Sequence, residues 1–151
     1  MQSAEKHIKQ FLFQIGIRGI LTMLGFRKTV GSQDIIWPSG QELLHNFNKP
    51  NQILSVEEAQ RIKNVSKLSV GARALQKHSH RSSDGFWGHP TGPENLKNIH
   101  ANKVAQQILR ECIWINIHKM LQSEIIIECR VIQGYGIRWS IDGTFRGFLE
   151  P

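Results

Sequence analysis

Between Lys77 and His89 the chain reads Lys-His-Ser-His-Arg-Ser-Ser-Asp-Gly-Phe-Trp-Gly-His, and three of the protein's seven histidines fall inside that stretch. Imidazoles titrate near neutrality, hydroxyls donate and accept, and guanidinium and ammonium groups hold anions. Aimed together by a loop, such side chains could bind a phosphate or move a proton. One catalytic scheme activates Ser79, Ser82 or Ser83 with a histidine that Asp84 orients. Another gives His78 or His80 a role in phosphoryl transfer beside the neighbouring cations. The first lacks the Gly-x-Ser-x-Gly turn that usually presents such a serine. As metal ligands, His78, His80, His89 and Asp84 match no finger spacing, and on a helix His78 and His80 point apart. Neither a metal nor another cofactor is expected.

Anion binding uses more of these residues at once. Arg73, Lys77 and Arg81 would supply charge, His78, His80, Ser82 and Ser83 would donate hydrogen bonds, and a helix opening at Pro93 would add the positive end of its dipole. Gly85 and Gly88 would let backbone approach a ligand closely, and Phe86 and Trp87 would stack a base. The competing reading anchors Phe86 and Trp87 in the core and leaves the cations to solvent.

The net charge of +7 favours attraction to polyanions or to anionic membrane surfaces without choosing among them. Its distribution helps a little. No acid lies between Glu58 and Asp84, yet Arg61, Lys63, Lys67, Arg73, Lys77 and Arg81 do, six of the nineteen cations. The expected partner is a phosphate-bearing ligand or a nucleic acid. A protein partner docking on an N-terminal amphipathic helix is the noncatalytic alternative. No apolar run approaches the roughly 18 residues a membrane span needs. The two cysteines, Cys112 and Cys129, fit no CxxC spacing and read as free thiols of a reducing, intracellular compartment. A mitochondrial targeting role for the basic N-terminus is opposed by Glu5 and by the shortage of Ser and Arg.

The elements that must position these groups follow from periodicity. With 151 residues and 40% apolar content, one domain is expected over 1–151, with 1–28 a peripheral amphipathic helix that Gly16 and Gly19 weaken. Ser39 with Glu42 forms a capping box for a helix from Gln41 to Phe47, and Ser55 to Glu58 repeats that signature for a helix running toward Lys63. Ser69 opens a third helix, Val70 to about His80, which stacks Arg73, Lys77 and Arg81 along one face. Ile99, Val104, Ile108, Cys112 and Ile115 at helical spacing predict one long helix from Pro93 to about His118.

Beyond it the period becomes two. Ile125, Ile127, Cys129 and Val131 alternate with polar residues in one strand, Ile137, Trp139 and Ile141 in a second, and a third runs to Leu149. A three-residue turn containing Gly143 places Phe145, Gly147 and Leu149 on the side of Trp139. Arg130, Arg138 and Arg146 then share the opposite face with Glu128, across a cleft from the Arg73 to His89 segment. The expected fold is α+β: N-terminal helices, one long helix after Pro93, and a C-terminal three-stranded antiparallel meander packed on it through Cys112, Ile127, Cys129, Val131, Ile137 and Trp139.

Overall fold

The computed structural model describes residues 2–28, 35–51, 65–82, 84–120 and 124–151. The helix expected from Ser55 toward Lys63, and Ser83 of the hydroxyl group of candidates, lie outside them.

Local signals act where the sequence put them. Helix α1 (Gln2–Met23) is interrupted at Gly16, whose φ of 62° no helix can hold. Helix α2 (Gly40–Asn48) opens on the reciprocal box: Ser39 N–H donates to the Glu42 carboxylate at 2.7 Å, and Glu42 N–H donates to Ser39 Oγ at 3.3 Å. Helix α3 (Val70–His78) is capped by Ser69 Oγ, which accepts from Ala72 N–H at 3.1 Å. Helix α4 spans Glu94–Glu111. Its first turns hold the entry to α3: Glu94 accepts from Ser66 Oγ at 2.6 Å and Lys67 N–H at 2.7 Å, and Asn98 Oδ1 accepts from Ser69 N–H at 2.9 Å.

The sheet corrects the expected fold. It has five strands, β1 (Phe26–Lys28), β2 (Trp114–Lys119), β3 (Ile125–Arg130), β4 (Gly136–Ser140) and β5 (Phe145–Leu149), in the order β1-β2-β3-β4-β5. It is mixed, since β1 runs parallel to β2 and the other pairs are antiparallel. With four helices among the described residues, the class remains α+β. The three-stranded meander fails because the long helix stops at Glu111: Cys112 has already turned to ψ 131°. Ile108, Cys112 and Ile115 suit a helix, but Ile113, Ile115 and Ile117 alternate, and β-branched side chains pack better on a pleated surface. Ladder bonds decide it, Ile113 N–H donating to Arg130 O at 3.0 Å and Ile115 N–H to Gly25 O at 2.6 Å. The N-terminal helix likewise stops short of Lys28. Gly25 takes φ 80° and lies so near Ile113 that a Cβ there would overlap its carbonyl oxygen.

The last hairpin carries a second correction. Its turn is the expected one, with Gly143 at φ 82° and Ser140 N–H donating to Thr144 O at 2.9 Å. Phe145 pairs with Trp139, but a bulge then intervenes, so Gly147 pairs with Arg138 and Phe148 with Ile137. The extra residue, Arg146, drops out of alternation, and Phe148 rather than Leu149 joins the core. Helices α2, α3 and α4 cover one face of the sheet, burying Phe47, Leu75, Ala105 and Ile108 against Ile117, Ile127, Ile137, Trp139 and Phe148.

Candidate active site

Strand pairing brings together side chains that no contiguous motif holds. Asn116 pairs with Glu128 and Glu128 with Arg138, so the three form one row across β2, β3 and β4 on the face opposite to the one that α2, α3 and α4 cover, where Glu128, Ser140 and Ile126 are nevertheless buried. His118 lies two residues along β2 from Asn116 and therefore projects from the same face. The Asn116 amide is 2.7 Å from His118 Nδ1 and fixes that edge of the ring. His118 Nε2 makes no hydrogen bond among the described residues. Arg138 Nε donates to Glu128 Oε1 at 2.8 Å, and the Glu128 side chain is only 8% exposed. Glu128 Oε2 is left without a donor among the described residues. So is Asn116 Oδ1, which is buried. In the adjoining row Ser140 Oγ donates to Glu124 Oε1 at 2.6 Å, and Glu124 Oε2 meets Arg146 at 3.1 Å.

An imidazole with one open nitrogen, a carboxylate with one open oxygen and a guanidinium beside it make a set capable of acid–base work on a phosphate ester. The sequence puts Glu124, Glu128, Arg138 and Ser140 on the polar sides of their strands, but it places His118 at the end of a helix, offers it only as a base for a cysteine, and gives Asn116 no role. The alternation of Ile113, Ile115 and Ile117 with Trp114, Asn116 and His118 is the signal that would have found β2 and its polar edge.

The segment from Lys77 to His89 is organised differently. Trp87 is 0% exposed, with ring centres 5.1 Å from Tyr135 and 4.9 Å from Phe148, so it cannot stack a ligand's base as expected. Phe86 is half-buried and stacks on Tyr135 at 4.2 Å. Asp84 accepts from Tyr135 Oη at 2.8 Å and Phe86 N–H at 3.1 Å. These two bonds, the phenol's first, hold the Asp84 carboxyl below its ordinary range, and the same carboxylate raises the Tyr135 phenol. Ser82 lies beside both. His78 Nδ1 is 2.7 Å from Glu150, whereas His80, Arg81 and His89 are exposed. The four candidate metal ligands do not converge, and no cluster of three such groups occurs among the described residues.

Four of the expected anion-binding residues do meet. Arg73, Lys77 and His78 on α3 face Arg146 on β5 across a groove of about 280 Å³. Arg138 stands apart from it on the other face of the sheet with Glu128, and Arg130 is occupied by the carbonyls of Gly134 and Glu150 at 2.6 and 3.0 Å. The arginine face is thus divided by the sheet edge. Cys112 and Cys129 are free thiols, Cys129 buried and Cys112 half-buried, and Cys112 Sγ donates to Leu109 O at 3.5 Å. The neighbouring Cys129 thiol draws Cys112 down to about 7, while the same neighbour and burial push Cys129 up.

Comparison with known proteins gives these placements a context. The chain is similar to the toxic C-terminal tip of CdiA from Pseudomonas aeruginosa, whose crystal structure is a complex with immune protein. The two are 30% identical, the match covers 58% of this chain and 95% of that one, and the TM-score is 0.48. No curated protein matches. A family model described as the CdiA C-terminal tRNase toxin domain matches residues 56–150, a span that includes α3, α4 and strands β2 to β5. Because that match takes in well over half of the sequence, the chain belongs to the CdiA C-terminal tRNase toxin domain family.

Proposed function

We propose that this domain is a ribonuclease acting on tRNA, with the face of β2, β3 and β4 opposite helices α2 to α4 as its reaction surface. The observation that carries the reading is that His118, Glu128 and Arg138 share that face in adjacent rows, with Asn116 orienting the histidine. Family membership supports the substrate class, and the net charge of +7 suits a polyanion.

The chemistry follows from what an RNA backbone offers. Glu128 Oε2 takes the proton of a ribose 2′-hydroxyl, whose oxygen attacks the adjacent phosphorus. Arg138 binds a non-bridging oxygen and stabilises the charge that grows in the transition state. His118, protonated at Nε2, gives its proton to the departing 5′-oxygen. The P–O5′ bond breaks as the new P–O2′ bond forms, leaving a 2′,3′-cyclic phosphate and a free 5′-hydroxyl. No redox step or outside reactant is needed.

The test is cleavage of purified mixed tRNA by the full chain and by His118→Ala and Glu128→Gln. Losing one acid–base partner should slow cleavage by roughly 10²- to 10⁴-fold. The unfolding midpoint of His118→Ala should stay near that of the wild type, and product ends should carry the cyclic phosphate. Wild-type rates from His118→Ala, or equal cleavage of a 2′-deoxy substrate, would overturn the assignment.

A further inference from the structure

The groove between α3 and β5 is not used by that chemistry, yet it brings four basic side chains together, two of them without an acid among the described residues. Arg73 and Lys77 are four residues apart, on one exposed side of α3. The other two basic groups of the groove each have an acid: His78 faces Glu150, and Arg146 faces Glu124. Arg73 and Lys77 have no carboxylate partner among the described residues. Such cations gain little from folding and much from an anion that crosses them.

The bulge at Arg146 links this groove to the reaction surface. Expelled from alternation, Arg146 lines the groove and also touches Glu124, which holds Ser140 on the face opposite helices α2 to α4. The edge strand is low at that point, since Gly147 has no side chain and nothing lies within 4 Å of where a Cβ would be. A polyanion lying over His118 and Arg138 that turns across the β5 edge meets first Arg146, which also holds Glu124, and then the cations Lys77 and Arg73, which have no acid among the described residues.

We infer that the α3–β5 groove is a second phosphate-binding track, which takes the sugar–phosphate backbone of a folded RNA as it leaves the reaction surface over Arg146. This rests on the ribonuclease reading for its direction. It adds a role for Arg73 and Lys77: they bind substrate beyond the reacting atoms and give preference to a long, folded RNA over a short one.

The experiment separates binding from cleavage. Binding is measured as fluorescence anisotropy over a series of salt concentrations, with a synthetic tRNA carrying 2′-O-methyl riboses that no 2′-hydroxyl attack can cut. Arg73→Glu/Lys77→Glu should weaken binding more than tenfold and lower the slope of log affinity against log salt by roughly 1 to 2, about one for each phosphate no longer neutralised. Arg73→Gln/Lys77→Gln should give a smaller loss in the same direction, which repulsion alone would not. Cleavage of a short single-stranded oligoribonucleotide should stay within twofold of wild type, because that substrate never reaches the groove. Unchanged tRNA affinity overturns the track and leaves these cations to another class of partner, such as an acidic protein. An equal fall in short- and long-substrate cleavage overturns it as well, placing the residues at the reaction surface. If His118→Ala cleaves at the wild-type rate, the assignment of the reaction surface fails while the binding arm remains readable.

Discussion

The Lys77 to His89 segment and the face of β2 to β4 opposite helices α2 to α4 contain similar chemical groups put to different uses. In the segment, neighbours in sequence are turned inward: Trp87 fills the core, Phe86 and Asp84 clasp Tyr135, and His100 Nε2 meets Trp87 O at 2.8 Å. On the sheet, residues far apart in sequence are brought side by side by strand register, with Glu128 buried and with His118 Nε2 and Glu128 Oε2 unpartnered among the described residues. A histidine-rich string marks where a loop needs many hydrogen bonds as readily as it marks a reacting site. What separates the two is which chemical groups meet and not hydrogen-bond satisfaction alone, since Trp87 Nε1 in the segment is also buried without a partner among the described residues.

The strongest way to break that comparison is to empty the segment's anchor. Trp87→Ala should destabilise the fold by about 3 to 5 kcal/mol, the usual range for deleting a buried aromatic, because Phe86, Tyr135 and Phe148 all lose a packed neighbour. Chemical denaturation reads this directly. A variant of wild-type stability with lost RNA binding would return Trp87 to the ligand and reverse the assignment of the two regions.

The contrast also explains which parts of the molecule were legible in the sequence. Helices α2 and α3 were, because Ser39 with Glu42 and Ser69 act within one turn of chain. The β4–β5 turn was, because Asp142-Gly143 is a local instruction, Asp142 accepting from Thr144 N–H at 2.8 Å. Strand β2 was not: Cys112 and Ile115 satisfy helical and strand periods together, and only the Gly25 and Arg130 carbonyls, remote in sequence, settle the matter. Strand β1 has three residues and no periodicity to read. The His118, Glu128 and Arg138 set depends on register between three strands, so it became visible only once β2 was one of them. Arg146 needed the bulge, which no turn residue announces.

A smaller effect tests whether the Asp84 clasp is structural. Tyr135 and Phe86 N–H stabilise the Asp84 carboxylate, so its folded pKa lies below the unfolded value of about 3.9. The corresponding stability is present above the unfolded value and is lost as pH falls through the folded one. Asp84→Asn should therefore melt below wild type at neutral pH, with the gap closing as pH drops below about 4. Tyr135→Phe should shrink that pH dependence by removing the larger donor. A gap that stays constant from neutral to acid pH would mean that the clasp contributes nothing through its charge. Tyr135 adds an alkaline counterpart: its raised phenol contributes stability below its unfolded pKa, which is lost as pH rises through the folded one.

The finest distinction concerns the helix side of the sheet, where chemistry should be absent if all open groups lie on the other face. Cys112 is the exception. It ends α4 half-buried, and the neighbouring Cys129 thiol draws it down, so its thiolate forms at about 7 rather than in the ordinary thiol range. Iodoacetamide should modify Cys112 in the folded protein with a rate that rises through pH 7, while Cys129, buried and pushed the opposite way, reacts only on unfolding. Cys129→Ala removes that neighbour and should return the Cys112 profile toward about 8.5. Modification should leave RNA cleavage intact, because Ile115, paired with Cys129, belongs to the apolar face while Asn116 and His118 point away from it. Loss of cleavage on alkylating Cys112 would mean that the two faces are coupled through β2, and the division between them would have to be drawn elsewhere.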